Sequence, residues 1–280
     1  MTMALWVLGA ALFSVAVGRW GTSAGGSFLS SKGVTAPNFR NEVIPTSFGG
    51  VMVLLYMFVV LVSVGIPKFF FPLFPDALFF AVLFATGAVA FLGWLDDTLG
   101  DARHKGFRGH ILSLVREKQL TTGGLKALGG GMVAALCAAA LAREFAEWLV
   151  FALYIALMTN WLNLLDLRPG RCLKFYLAGG TLLLAFSLDR AESLLFVPLW
   201  GLALALLKED LAAKVMLGDS GSNLLGVHLA LWSLTFLPFR AILVVLALLI
   251  LGHYYAERHS ITKRIERSRF LGYLDRLGRQ

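Results

Sequence analysis

Nine runs of about fifteen to twenty mostly apolar residues, separated by short polar breaks, dictate the fold class before any motif is considered. They fall at roughly 3 to 18, 48 to 66, 76 to 95, 123 to 142, 148 to 165, 174 to 188, 193 to 207, 223 to 237 and 240 to 256. A helix of that length covers the hydrocarbon layer of a bilayer and satisfies its own backbone hydrogen bonds there. With 58% hydrophobic and 15% charged residues and a mean hydropathy of +0.75, a water-soluble globular chain is excluded. The expectation is an all-α, polytopic helical membrane protein with about nine transmembrane helices. Residues 1–256 form the transmembrane domain and 257–280 a basic amphipathic cytoplasmic tail. The first run begins at Met1 without a preceding basic stretch, and Arg19 follows it, so it reads as a retained span rather than a cleaved leader.

The charges orient the bundle. Of the 25 Lys and Arg residues, 21 fall in alternate breaks, at 19–40, 103–126, 168–174, 208–214 and in the tail; the other breaks hold only Lys68, Arg143, Arg190 and Arg240. The positive-inside rule therefore places the N-terminus outside and the C-terminus in the cytoplasm. The external connections are too short to hold a domain, which directs any chemistry to the cytoplasmic face. The net charge of +8 suits phosphate groups or anionic lipid there, although topology alone also explains such an excess. Cys137 lies inside an apolar run and Cys172 in a polar break, so no disulfide framework is expected. The five histidines lack paired ligand spacing, which argues against zinc, and nothing suggests nucleic acid as a partner.

Four constellations share the predicted cytoplasmic face. Asp96 and Asp97 end the third run, and adjacent acids repel unless a cation or a raised pKa intervenes. Asn160, Asn163 and Asp166 follow an i, i+3, i+6 spacing that aligns them on one side of the fifth helix; such a stripe must face other helices or a wet cleft. Between the seventh and eighth runs, Gly218-Asp219-Ser220-Gly221-Ser222-Asn223 combines turn-forming glycines with caps, offering backbone N–H groups to an anion beside a carboxylate. Before the second run, Ile44-Pro45-Thr46-Ser47-Phe48-Gly49-Gly50 can bring a helix start and Arg40 against a phosphate. Taken singly, each motif has an ordinary structural explanation: a membrane boundary, helix packing or a capped loop. Together they describe a pocket for a divalent cation and a diphosphate.

These motifs, IPTSFGG, LDDTLG, NWLNLLD and GDSGS, occur in an order that resembles the polyprenyl-phosphate N-acetylhexosamine-1-phosphate transferase family over Ile44 to about Asn223. The resemblance implies Mg²⁺-dependent transfer of a sugar 1-phosphate from a UDP-sugar to a polyprenyl phosphate lipid such as undecaprenyl phosphate, with release of UMP. Mn²⁺ is an alternative cofactor. It further implies a multi-pass plasma-membrane enzyme of cell-wall or surface-glycan synthesis, and permits a homodimer. By resemblance Asp96, Asp97 and Asp219 are catalytic, the first two through the lipid phosphate, while Asp219 and Asn163 are associated with the metal. Asn160, Asn163, Asp166, Arg168, Arg171, Ser220, Ser222 and Arg40 are the substrate-binding candidates. Two departures stand out. Leu167-Arg168-Pro169-Gly170-Arg171 replaces the family's second Asp-Gly, suggesting that Arg168 and Arg171 grip phosphate instead, and the histidine cluster of the peptidoglycan branch is missing. The chain therefore looks closer to the branch using simple UDP-N-acetylhexosamines. Either a single in-line displacement or a two-step route through an aspartyl phosphate fits these residues. The alternatives are an inactive family member acting as a membrane scaffold, or a transporter, whose polar residues would gather near the midplane instead.

Overall fold

The computed structural model describes residues 3–71, 75–100 and 121–279. Most of the basic break before Lys126 lies outside them. Eleven α-helices are present among the described residues: α1 (Met3–Ser31), α2 (Gly49–Val60), α3 (Asp76–Leu99), α4 (Thr122–Leu141), α5 (Phe145–Leu165), α6 (Arg171–Ser187), α7 (Ser193–Leu211), α8 (Gly218–Phe236), α9 (Phe239–Arg258), α10 (Ile261–Arg267) and α11 (Arg269–Arg276). Each apolar run coincides with one of the first nine. A π-helical turn at Leu61–Gly65 and a 3-10 turn at Pro67–Phe69 prolong α2.

Among the described residues, six helices are long and apolar enough to cross a membrane: α1, the α2 continuum Gly49–Phe69, α3, α4, α5 and α9. The chain is thus a helical membrane protein. The other three apolar runs, α6, α7 and α8, have a different character. α6 is only 17 residues long, and α7 ends in Lys208, Glu209 and Asp210. α8 is buried continuously from Ser220 to Ser233 and packs against α2, α3, α5 and α6. Its serines, Asn223 and His228 explain that position, since polar side chains are best satisfied by protein partners rather than lipid. His228 meets the Tyr176 hydroxyl at 2.9 Å within a box formed by Tyr56, Tyr176, Phe196 and Trp232. By contrast α9 leaves Leu243, Val244, Leu248 and Leu251 exposed, as a lipid-facing helix must.

α1 packs along α7 through small residues: a Cβ on Gly18 would meet Ala205 at 2.7 Å, and one on Gly201 would meet Ser14 at 2.6 Å. α4 lies between α3 and α5, and α9 flanks α5. The buried free thiols of Cys137 and Cys172 form no disulfide.

Two features were not expected from the sequence. A short antiparallel hairpin, β1 (Thr35–Pro37) and β2 (Val43–Pro45), precedes α2, so the chain is not purely helical. Its turn is built on buried Asn38, whose side-chain oxygen accepts from the backbone N–H groups of Arg40 (2.8 Å) and Glu42 (3.0 Å). The basic amphipathic tail forms two short helices. Ser260 caps α10 and Ser268 caps α11, each accepting from the backbone N–H three residues on, which breaks the helix between them.

Candidate functional site

The polar cluster lies where the end of α3, the start of α4, the end of α5 and the start of α8 meet. Their approach depends on glycine. A Cβ on Gly93 would collide with the backbone of Asp219 and Ser220 at 2.5 to 2.6 Å, so only glycine lets α3 lie against the first turn of α8. Gly218 opens that turn at φ +67°, and a side chain there would meet the Asp97 carboxylate. Ser47, at the entrance of α2, is held at φ +56°, a conformation that disfavours side chains and persists when neighbours impose it.

Asp97 is the keystone of this contact. Its carboxylate accepts from the backbone N–H of Asp219 (2.8 Å), the backbone N–H of Ser220 (3.1 Å) and the hydroxyl of Ser47 (2.7 Å). It thus caps α8 from another helix, and the orphan N–H groups expected to cradle a phosphate are already engaged by this carboxylate. Ser220 and Ser222, expected as substrate contacts, are turned into the α8 turn in this structure. Both are fully buried, and their hydroxyls donate to Leu217 O (3.3 Å) and Gly218 O (3.0 Å), bracing the turn from within.

Beside this capped turn, Lys126 gathers the remaining acids. Its ammonium forms an ion pair with Asp219 and stands 3.5 Å from Asp96. With the Asn163 carboxamide oxygen facing Lys126 at 3.0 Å, its NH₂ donates to Asp219 at 2.9 Å and to the Ser222 hydroxyl at 3.1 Å. Two carboxylates and a carboxamide oxygen therefore converge on one cationic centre. Lys126 was read from the sequence only as a topological charge. A sharper signal was available, because it is the sole charged residue in α4, and an ionisable group inside an apolar helix is a functional-site candidate by default.

A cavity of about 190 Å³ adjoins the cluster, lined by Asp97, Asp166, Asp210 and Asp219, by Arg168, and by Phe39 at the hairpin turn. Burial raises Asp166 well above the usual carboxylate range, and the charges of Asp210, Asp219 and Asp97 push it further. Burial also raises Asp210 to about 6, opposed by the Gly170 N–H that it accepts at 2.6 Å. Asp219 moves up through burial, with Lys126 pulling it back. Carboxylates thus outnumber the bases that Lys126 and Arg168 supply here, which suits the region to a cation together with an anionic ligand. Among the described residues no three His, Cys, Asp or Glu side chains form a ready metal cage. The donors at Lys126 instead fit a hard cation whose remaining ligands come with the substrate.

Not every predicted residue joins. Arg168 lines the cavity and lies over the Phe39 ring at 5.6 Å, with Arg40 over the same ring at 5.0 Å. Asn160 is exposed, one turn before Asn163, and takes no part in the cluster. Arg171, expected to grip phosphate, is buried, and its guanidinium spans the two Asp275 oxygens at 2.8 and 3.1 Å, so it points into the tail. Asp210 and Phe39 were not among the expected site residues: Asp210 belongs to no motif, Phe39 stands beside Arg40 without a polar group to mark it, and both reach the cavity through tertiary folding. No protein-family model matches the chain, and no curated protein is significantly similar to it.

Proposed function

We propose that this protein is a phosphoglycosyl transferase that moves a sugar 1-phosphate, of the N-acetylhexosamine class, from a UDP-sugar to a polyprenyl phosphate. In this reading nine helices span the plasma membrane with the N-terminus outside and the C-terminus in the cytoplasm, and the cluster opens at the cytoplasmic face. The observation that carries it is the convergence of Asp96, Asp219 and Asn163 on Lys126, beside a cavity bearing Arg168.

An oxygen of the lipid phosphate attacks the sugar-bearing phosphorus of the UDP-sugar. The bond from that phosphorus to the bridging oxygen breaks, and UMP leaves with the electron pair. The acceptor is already largely dianionic near neutral pH, its second pKa being roughly 6, so strong base catalysis is unnecessary. The obstacle is the meeting of two anions. Lys126 and Arg168 offset that repulsion, and Asp96 orients the acceptor or takes its remaining proton. Asp97, fully engaged as a cap, holds Asp219 in place. Asp219 and the Asn163 oxygen would hold Mg²⁺, which supplies Lewis-acid stabilisation of phosphate charge when bound.

The test is Mg²⁺-dependent exchange of labelled UMP into a panel of UDP-sugars, with polyprenyl phosphate present. Exchange with a UDP-N-acetylhexosamine is the expected result. Absence of exchange with every sugar, in protein that is folded and inserted, refutes the proposal.

A further inference from the structure

Between the end of α5 at Leu165 and the start of α6 at Arg171 the chain has five residues in which to reverse, and that turn carries Asp166 and Arg168 to the cavity. Within the bundle it is fixed by the Gly170 N–H, which donates to Asp210 at 2.6 Å. From the other side it is fixed by the tail. Arg279 donates twice to Pro169 O, at 3.0 and 3.2 Å, and pairs with Asp275 at 3.1 Å. Asp275 in turn takes both arms of Arg171. Lys174 donates to the carbonyls of Leu274, Asp275 and Leu277, the acceptors that the end of α11 leaves open.

The tail's burial pattern identifies the functional part of this contact. α10 buries no residue, and α11 buries only Gly272 and Asp275. An appendage mostly exposed along its length thus sinks one carboxylate, 7% exposed, against an arginine that is 6% exposed. A helix needed only for an anionic membrane surface would keep its acids in water and present its bases. A buried bidentate pair instead fixes both distance and direction.

We propose that Asp275 is a positioning residue: by clamping Arg171 it sets the 166–171 turn, and with it the placement of Asp166 and Arg168 at the cavity. The tail is then part of the site's framework. The kinetic consequence rests on the transferase reading above; the structural consequence does not.

Asp275→Asn in the full-length protein keeps the shape and removes the charge. Backbone amides at 166–171 should exchange with deuterium about tenfold faster, while those of the buried helix α8 keep wild-type protection. In the UMP exchange assay the KM for UDP-sugar should rise about tenfold with kcat changing much less, since the group displaced binds rather than reacts. Arg279→Gln, which removes only the outer half of the clamp, should shift both readouts in the same direction by less, and serves if Asp275→Asn does not fold. Unchanged amide exchange at 166–171 in both variants overturns the proposal, as does faster exchange with an unchanged KM. If the wild type transfers no sugar, the transferase reading fails, and amide exchange alone decides whether the tail sets the turn.

Discussion

Two clusters of opposite charge lie on the polar end of this protein, and they are built to different standards. Around Lys126 the side chains remain partly accessible, at 18% for the lysine, 20% for Asp96 and 33% for Asp219. Around Arg171 they are sealed, at 6% and 7%, and the guanidinium has a geometrically matched carboxylate. A single ammonium among several acceptors can be displaced or joined by an incoming ion. A buried fork-to-fork pair cannot yield without stranding a charge. Accessible and mismatched marks a place for chemistry; sealed and matched marks a joint.

On the transferase proposal, the largest effect expected from this contrast is catalytic. Lys126→Met and Asp219→Asn should each lower turnover about a thousandfold, roughly 4 kcal/mol of transition-state stabilisation, with little change in the thermal midpoint in detergent. Asp219→Asn should also lose Mg²⁺-dependent UDP-sugar binding, whereas Asp96→Asn should retain much of it. Wild-type turnover in Lys126→Met would remove the distinction between the clusters.

Next comes the sealed pair. Arg171→Met leaves Asp275 buried beside Arg279 alone and should cost about 3 kcal/mol in chemical denaturation. A loss below about 1 kcal/mol, the ordinary value of a surface ion pair, would show that the joint is no stronger than an exposed contact.

Asp210 sharpens the comparison, being buried like the joint yet lining the cavity. Its folded pKa of about 6 exceeds that of an exposed carboxylate, mainly through burial, with Gly170, Arg279 and Lys174 opposing. Ionising it therefore opposes folding as pH rises from about 4 to about 6, and the penalty is complete above that window. Asp210→Asn should add up to about 2 kcal/mol of stability at pH 8 and almost nothing at pH 4. A gain independent of pH would assign the effect to something other than its charge.

The smallest effect concerns tail docking. Burial alone would raise the Asp275 carboxyl, but Arg171 and Arg279 hold it below its usual range. Its contribution is complete above the ordinary carboxylate pKa and is lost only as pH falls through the depressed value. Spin labels placed at Leu167 and Phe270 should keep their separation from pH 8 to pH 5 and part only on further acidification. Separation within the neutral range would mean that another group holds the tail.

The helices were legible because continuous apolar runs state their own length, and the polar motifs were legible because such residues interrupt apolar helices at a cost. What the motifs could not state was partnership. Asp97 meets Ser47 from 50 residues away and the Asp219 backbone from 122 away, so its position was readable while its capping role was not. Arg171 looked like a phosphate ligand because its partner lies 104 residues further on. The hairpin was hidden for a similar reason: two three-residue strands have no periodicity to read, and β2 is also held by the Met216 N–H, which donates to Pro45 O at 2.8 Å. The enclosure of α8 by α2, α3, α5 and α6 was not legible because hydropathy does not distinguish lipid from protein as the surroundings of an apolar helix.

The pairing of α1 with α7 carries a consequence for biosynthesis. The small-residue seam on α1, with Ser14 and Gly18, is made within the first twenty residues, but Gly201 and Ala205, which fill it, emerge from the ribosome some 180 residues later. At a translation rate of about 5–20 residues per second, α1 waits in the bilayer for roughly ten seconds or more with that seam against lipid. Release of α7 closes the seam, so a chain arrested before that point leaves the small-residue face of α1 without its partner and marks the assembly as incomplete.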